Sequence, residues 1–120
     1  MMKVIGVDII ETKRIGQSIA RFGDRFLNRV FTAHELAYCN GRVNSLAARW
    51  AAKEAVGKAL GTGIGDVSWQ EIEIINDTKS RPTLFLHGAA ASLSAQLGIS
   101  QFAISLAHTK DYAVAFVIGE

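Results

Sequence analysis

Proline and cysteine are nearly missing from this sequence, which has one of each, Pro82 and Cys39. A single cysteine cannot close a disulfide within the chain, and such usage fits a reducing compartment. A reactive thiolate needs a nearby base or cation and none is obvious for Cys39, so it reads as an inert, half-buried thiol rather than a nucleophile. No apolar run approaches the roughly 20 residues of a membrane span. Asp8 interrupts the apolar stretch after Met1-Met2-Lys3, so no signal peptide is read and a soluble, cytoplasmic protein is expected. Charge of either sign is not in excess: 13 Lys and Arg stand against 11 Asp and Glu, a net +2. That permits an acidic partner and gives no reason to expect nucleic acid. No Cys/His spacing suggests zinc. Linkers, repeats and low-complexity runs are also absent.

What is there is a single domain, residues 1–120, of which 49% is hydrophobic and 20% charged. Such a balance excludes disorder and collagen-like repeats, and the length suffices for a real core. Residues 3–9 are apolar and β-branched, predicting a strand. Glu11 to Phe22 predicts a helix stopped by Gly23, and Arg25 to Val30 a shorter one. Thr32-Ala33-His34-Glu35 is a capping box, so a helix starts at Ala33 and ends near Asn40-Gly41. Asn44 or Ser45 is expected to cap the longest helix, which runs to about Leu60 with Gly61 just past its end. Strands are predicted over 71–76 and 82–87 and an alanine-rich helix from Gly88 to Leu97. Two more strands, 101–107 and 112–118, read as a hairpin. The expected class is α+β, a largely antiparallel sheet packed with one long central helix and shorter helices.

Asp8 is the anomaly of the first strand. Side chains alternate across a strand, and both faces here are apolar except at Asp8, so the strand is expected to be central and covered on both sides. A carboxylate in that setting needs a partner or a metal. Structural ion pair and functional acid both remain open, and Gly6 on the same face is expected to leave space beside it. On the long helix Ala47, Ala51, Glu54, Ala55 and Lys58 form one stripe. A surface helix with a Glu54–Lys58 pair accounts for that stripe. Gly57, costly inside a helix, argues instead for close approach of another backbone. Gly61-Thr62-Gly63-Ile64-Gly65 frees backbone N–H groups for phosphate oxygens, or is a plain turn. It follows a helix and opens none, so it is no dinucleotide fingerprint, and the phosphate-loop Gly-Lys-Ser/Thr is absent. His108 is a core histidine or a ligand contact at a sheet edge. Arg14, Arg21 and Arg25 form a solvated face or a docking surface for an acidic partner.

Taken in order, Val4 to Glu11 with Arg14-Ile15, Arg49-Trp50-Ala51-Ala52-Lys53-Glu54-Ala55 with Lys58 to Gly65, and Ser105 to Thr109 with Tyr112-Ala113 resemble the holo-acyl-carrier-protein synthases. These are the short, trimeric type of 4′-phosphopantetheinyl transferase. The resemblance covers nearly the whole chain and is most specific in the helix. It implies transfer of 4′-phosphopantetheine from coenzyme A to a serine of acyl carrier protein, release of adenosine 3′,5′-bisphosphate, a need for Mg²⁺, and a place in fatty acid biosynthesis. It also implies a homotrimer with active sites between subunits. By position, Asp8 and Glu54 resemble the two Mg²⁺ ligands and Lys58 the lysine on the pyrophosphate. Arg49 and Lys53 add positive potential. Gly61, Thr62, Gly63, Ile64, Gly65, His108 and Thr109 resemble parts of the coenzyme A pocket, and Arg14, Arg21 and Arg25 would meet the carrier. The serine's proton acceptor stays open between a water on the metal and Glu54 or Asp8. Three places depart from the pattern: Ala107 where Ser or Thr is usual, Trp50 for the commoner Phe, and a Cys39–Asn44 segment without the fuller Lys/Arg cluster of some members. Two other readings use the same residues: another Mg²⁺-dependent phosphoryl enzyme, or a non-enzymatic scaffold with Asp8 and Glu54 in structural ion pairs.

Overall fold

Strand formers open the chain, and the alternation from Val4 onward does produce a strand in the computed structural model, which describes residues 3–120. Strand β1 (Val4–Glu11) runs into helix α1 (Thr12–Phe22), α2 (Asp24–Val30) and α3 (Ala33–Cys39), and then the long α4 (Val43–Leu60). A 3-10 turn over Trp69–Glu71 leads to β2 (Ile72–Asn76), β3 (Pro82–Leu86), α5 (Gly88–Gln96), β4 (Phe102–His108) and β5 (Tyr112–Gly119). The class is α+β, as expected. The strands form two antiparallel sheets rather than one: β1-β5-β4 and the hairpin β2-β3.

The capping box forms in full: Glu35 N donates to Thr32 Oγ1 at 3.2 Å and Thr32 N to Glu35 Oε1 at 2.9 Å. Gly61, with φ of 86°, ends α4 in the left-handed region that glycine enters without strain. The start of α4 departs from expectation. Arg42 occupies the N-cap position without a side-chain cap, and Asn44 lies inside the helix. Asn44 Nδ2 instead donates to the Thr109 carbonyl at 3.0 Å, fastening the β4–β5 turn to the start of α4.

Helix α4 is the core, not a surface helix. Ala47, Ala48, Ala51, Ala52, Ala55 and Val56 are all buried. Alanines leave room for backbones to come close, and two glycines use it. A Cβ on Gly6 would run into the Ala55 carbonyl, so the space expected beside Asp8 is filled by the α4 backbone. A Cβ on Gly57 would sit 3.0 Å from the Gly63 carbonyl carbon, and Gly63 N donates to Gly57 O at 3.0 Å. The glycine loop is thus laid directly on the last turns of α4.

Strand β1 is not central. It is an edge of its sheet, with β5 in the middle. Gly6 and Ile10 are buried toward α4, but Ile5, Val7 and Ile9 on the other face are 61%, 50% and 64% exposed. Phe116 and Ile118 of β5 extend that outer apolar face. Cys39 is fully buried rather than half-buried, and burial, ahead of its charged neighbours, pushes its thiol above the ordinary range. No described helix is long and apolar enough to cross a membrane.

Candidate active site

Asp8 reaches the site because β1 alternates: Gly6, Asp8 and Ile10 turn inward where Ile5, Val7 and Ile9 turn out. Glu54 reaches it because α4 crosses that inner face. The two acids feel one another. Burial, then the charge of Asp8, raises the proton affinity of Glu54, and the Lys58 ammonium offsets part of the rise. Lys58, one turn along from Glu54, pairs with Asp8 and not with Glu54: Lys58 Nζ lies 2.8 Å from Asp8 Oδ1 and donates to the Val7 carbonyl at 3.1 Å. Asp8 Oδ2 is buried and has no hydrogen-bond partner. A buried carboxylate oxygen without a partner is costly unless something cationic meets it.

Whether these residues suit a divalent ion is answered by the donor set. Among the described residues no three His, Cys, Asp or Glu side chains converge, so a site here offers two carboxylates and nothing softer. That composition fits Mg²⁺, which takes one or two carboxylates and completes its shell with phosphate oxygens and water. It does not fit zinc.

The other predicted residues fall into three groups. Gly61 to Gly65 pack on the C-terminal end of α4, near Lys58. His108 and Thr109 are exposed at the tip of the β4–β5 hairpin and sit against the N-terminal end. Those ends are far apart, since an 18-residue helix is about 27 Å long. One chain therefore does not bring the glycine loop and His108-Thr109 to a common pocket.

Lys53 and Arg49 form the second group, turned into the protein. Lys53 is fully buried against Glu35 at 2.8 Å. Arg49 is 4% exposed. Its Nη2 donates to Asn76 Oδ1 at 2.5 Å, and its guanidinium stacks 4.5 Å from the Tyr38 ring. The sequence marks Glu35 only as a capping-box acid and does not mark Asn76, so neither partner of these cations is foreseen. A capping-box acid that also carries a long-range contact leaves no pattern within its own helix.

Arg14 and Arg21 form the third group. They line one hollow of about 330 Å³ with Ile10, Phe22, Phe26 and Trp50. Arg25 and Arg29 line the next, of about 360 Å³, again against Phe22 and Phe26. Ile10 is two residues from Asp8 on the same strand face, and Trp50 is one helical turn before Glu54. The first hollow thus draws on the same strand and helix, β1 and α4, that carry the two acids.

The family model of the 4′-phosphopantetheinyl transferase superfamily matches residues 4–117. The holo-[acyl-carrier-protein] synthase of Herpetosiphon aurantiacus is 50% identical over 125 residues, covering 98% of this chain and 98% of that protein. That of Koribacter versatilis is 49% identical, covering 96% and 95%. Among solved structures, the Helicobacter pylori holo-[acyl-carrier-protein] synthase in complex with coenzyme A superposes with a TM-score of 0.89 at 32% identity, over 97% of this chain and 99% of that one. The Neisseria meningitidis enzyme gives 0.89 at 40% identity, over 98% and 97%.

Proposed function

We propose, on the premise that this chain belongs to the 4′-phosphopantetheinyl transferase superfamily, that it moves 4′-phosphopantetheine from coenzyme A to a serine of apo acyl carrier protein. The observation that carries this reading is Asp8 Oδ2, buried and unpartnered, with Lys58 on the other carboxylate oxygen and Glu54 near enough for the Asp8 charge to raise its proton affinity. The serine oxygen attacks the phosphorus next to pantetheine. The bridging P–O bond breaks, adenosine 3′,5′-bisphosphate leaves, and the serine proton passes to a base. Asp8 and Glu54 would hold Mg²⁺. Bound there, the ion supplies positive charge to the diphosphate as negative charge builds on the leaving group. Lys58 Nζ, now on Asp8 Oδ1, would reach the same diphosphate oxygens. Glu54 or Asp8, or a water held beside them, would take the serine proton. The backbone N–H groups of Gly61 to Gly65 would cradle phosphate oxygens.

Two features support a working assembly larger than one chain. The outer face of Ile5, Val7, Ile9, Phe116 and Ile118 is apolar and bare, as interfaces between copies are. The two halves of the expected coenzyme A pocket lie at opposite ends of α4, so His108-Thr109 of one copy would complement the glycine loop of another. The homotrimer implied by the family satisfies both. Arg14, Arg21 and Arg25 would receive the acidic carrier protein along these two hollows. The product holo-carrier serves fatty acid biosynthesis, in the cytoplasm.

The test is a mass measurement. The chain is incubated with apo acyl carrier protein, coenzyme A and Mg²⁺, and the carrier should gain one phosphopantetheine. Chelating the metal should abolish the gain. An unmodified carrier, with phosphate or nucleotide released in its absence, overturns the proposal in favour of a phosphohydrolase.

A further inference from the structure

Lys53 and Glu35 form the one ion pair among the described residues whose side chains are both fully buried. Its groups are densely bonded. Lys53 Nζ lies 2.8 Å from Glu35 Oε1 and donates to the Trp69 carbonyl at 3.0 Å and the Ile72 carbonyl at 2.5 Å. Glu35 Oε1 also accepts from Thr32 N at 2.9 Å, and Glu35 Oε2 from Ile74 N at 2.8 Å. All three ammonium protons and both carboxylate oxygens are thus engaged. The pair ties α4 to α3, to the 3-10 turn and to β2. Glu54 follows Lys53 and points about 100° further round the helix, toward β1.

Six of the twelve buried residues of α4 are alanine, and Gly6 of β1 lies directly on the Ala55 carbonyl. Its other polar ties are sparser than those of Lys53: Asn44 to the Thr109 carbonyl, Arg49 to Asn76 with its Nε left unpartnered, and the half-exposed Lys58 to Asp8 and the Val7 carbonyl. Smooth surfaces pack well at several angles. A turn of about 20° would carry a side-chain tip about 2 Å, since such tips lie roughly 5–6 Å from the axis. Metal coordination tolerates about ±0.2 Å. A buried ion pair is weak as a source of stability, because apolar replacements often do as well, but its directional bonds can select one arrangement.

We infer that the Lys53–Glu35 pair is a positioning device that fixes the rotation of α4 so that Glu54 meets Asp8. Lys53 and Glu35 touch neither substrate nor metal and act through Glu54. This rests on the reading that Asp8 and Glu54 hold a divalent ion.

The experiment uses the full-length protein saturated with coenzyme A, titrated with Mn²⁺ as the probe ion and followed by calorimetry and electron paramagnetic resonance. The double variant Glu35→Gln with Lys53→Met keeps the volume and removes both charges, and the new amide oxygen can still accept from Ile74 N. It should melt cooperatively and bind coenzyme A as before, with Mn²⁺ affinity lower by about 10–100-fold and kcat lowered with it. Glu35→Asp keeps the charges but shortens the tether, and should weaken Mn²⁺ binding with little change in melting. Either folded variant binding Mn²⁺ like the original chain overturns the inference. If the double variant does not fold, Glu35→Asp decides alone. If the unaltered chain binds no Mn²⁺ even with coenzyme A present, the metal reading itself fails.

Discussion

The two faces of the β1-β5-β4 sheet are built from the same strands and have opposite characters. The inner face is sealed by α4 and carries the one acid of β1 that reaches the site, with Gly6, Ala113, Ala115 and Val117 small enough to let the helix close in. The outer face carries larger apolar residues, Ile5, Val7, Ile9, Phe116 and Ile118, and they stay exposed among the described residues. On the proposed function, chemistry would sit where packing is tightest, because a preorganised charge is worth most away from water. Association would use the face where the apolar surface is open.

The largest expected effect comes from emptying the inner face of charge. Asp8→Ala or Glu54→Ala should each lower turnover by about 10²–10³-fold with an unchanged circular dichroism spectrum. Near-normal turnover in both would end the metal assignment. The outer face is broken by Val7→Asp with Ile118→Asp, which should bring the mass seen by light scattering down to the 13.0 kDa of one chain and take most activity with it. An assembly unmoved by both substitutions would show that association uses another surface. Lys58→Ala should cost roughly 10–100-fold in kcat/KM, with a raised KM for coenzyme A, in steady-state assays.

Smaller effects sharpen the contrast. Gly6→Ala forces a methyl against the Ala55 carbonyl and should lower unfolding free energy by about 1–3 kcal/mol in urea titrations. The equivalent change on the outer face, Ile5→Ala, should do less in the isolated chain, since that side chain is already exposed. The last effect is one of pH. Glu54 binds its proton more tightly folded than unfolded. In metal-free protein its contribution to stability is therefore present below the ordinary carboxylate value and lost as pH rises through the higher folded one. The melting temperature should fall across that window, and Glu54→Gln should flatten the fall.

Much of this was legible in advance, for local reasons. The capping box at Thr32 and Glu35, the glycine that ends α4 and the closing hairpin depend on neighbours a few residues away. Gly57 announced a close approach because an interior helix glycine needs a reason. Where expectation and structure part, the cause is distance along the chain. Two apolar faces on β1 imply that both are covered, but a sequence does not say whether the cover is the same chain or another. Asn44 looked like a cap and went instead to Thr109, 65 residues away. Lys53 looked like a cation for a ligand, and its partner is an acid one helix earlier. Periodicity reports which way a residue points and is silent on what it meets.

The separation of the glycine loop and His108-Thr109 along α4 has a genetic corollary. If each pocket draws on two chains, a chain disabled at Glu54 and another disabled at His108 carry their damage in different halves of the same cleft. Co-expressed, they would assemble some clefts with both lesions and some with neither, so two inactive alleles together would restore part of the activity that each alone has lost.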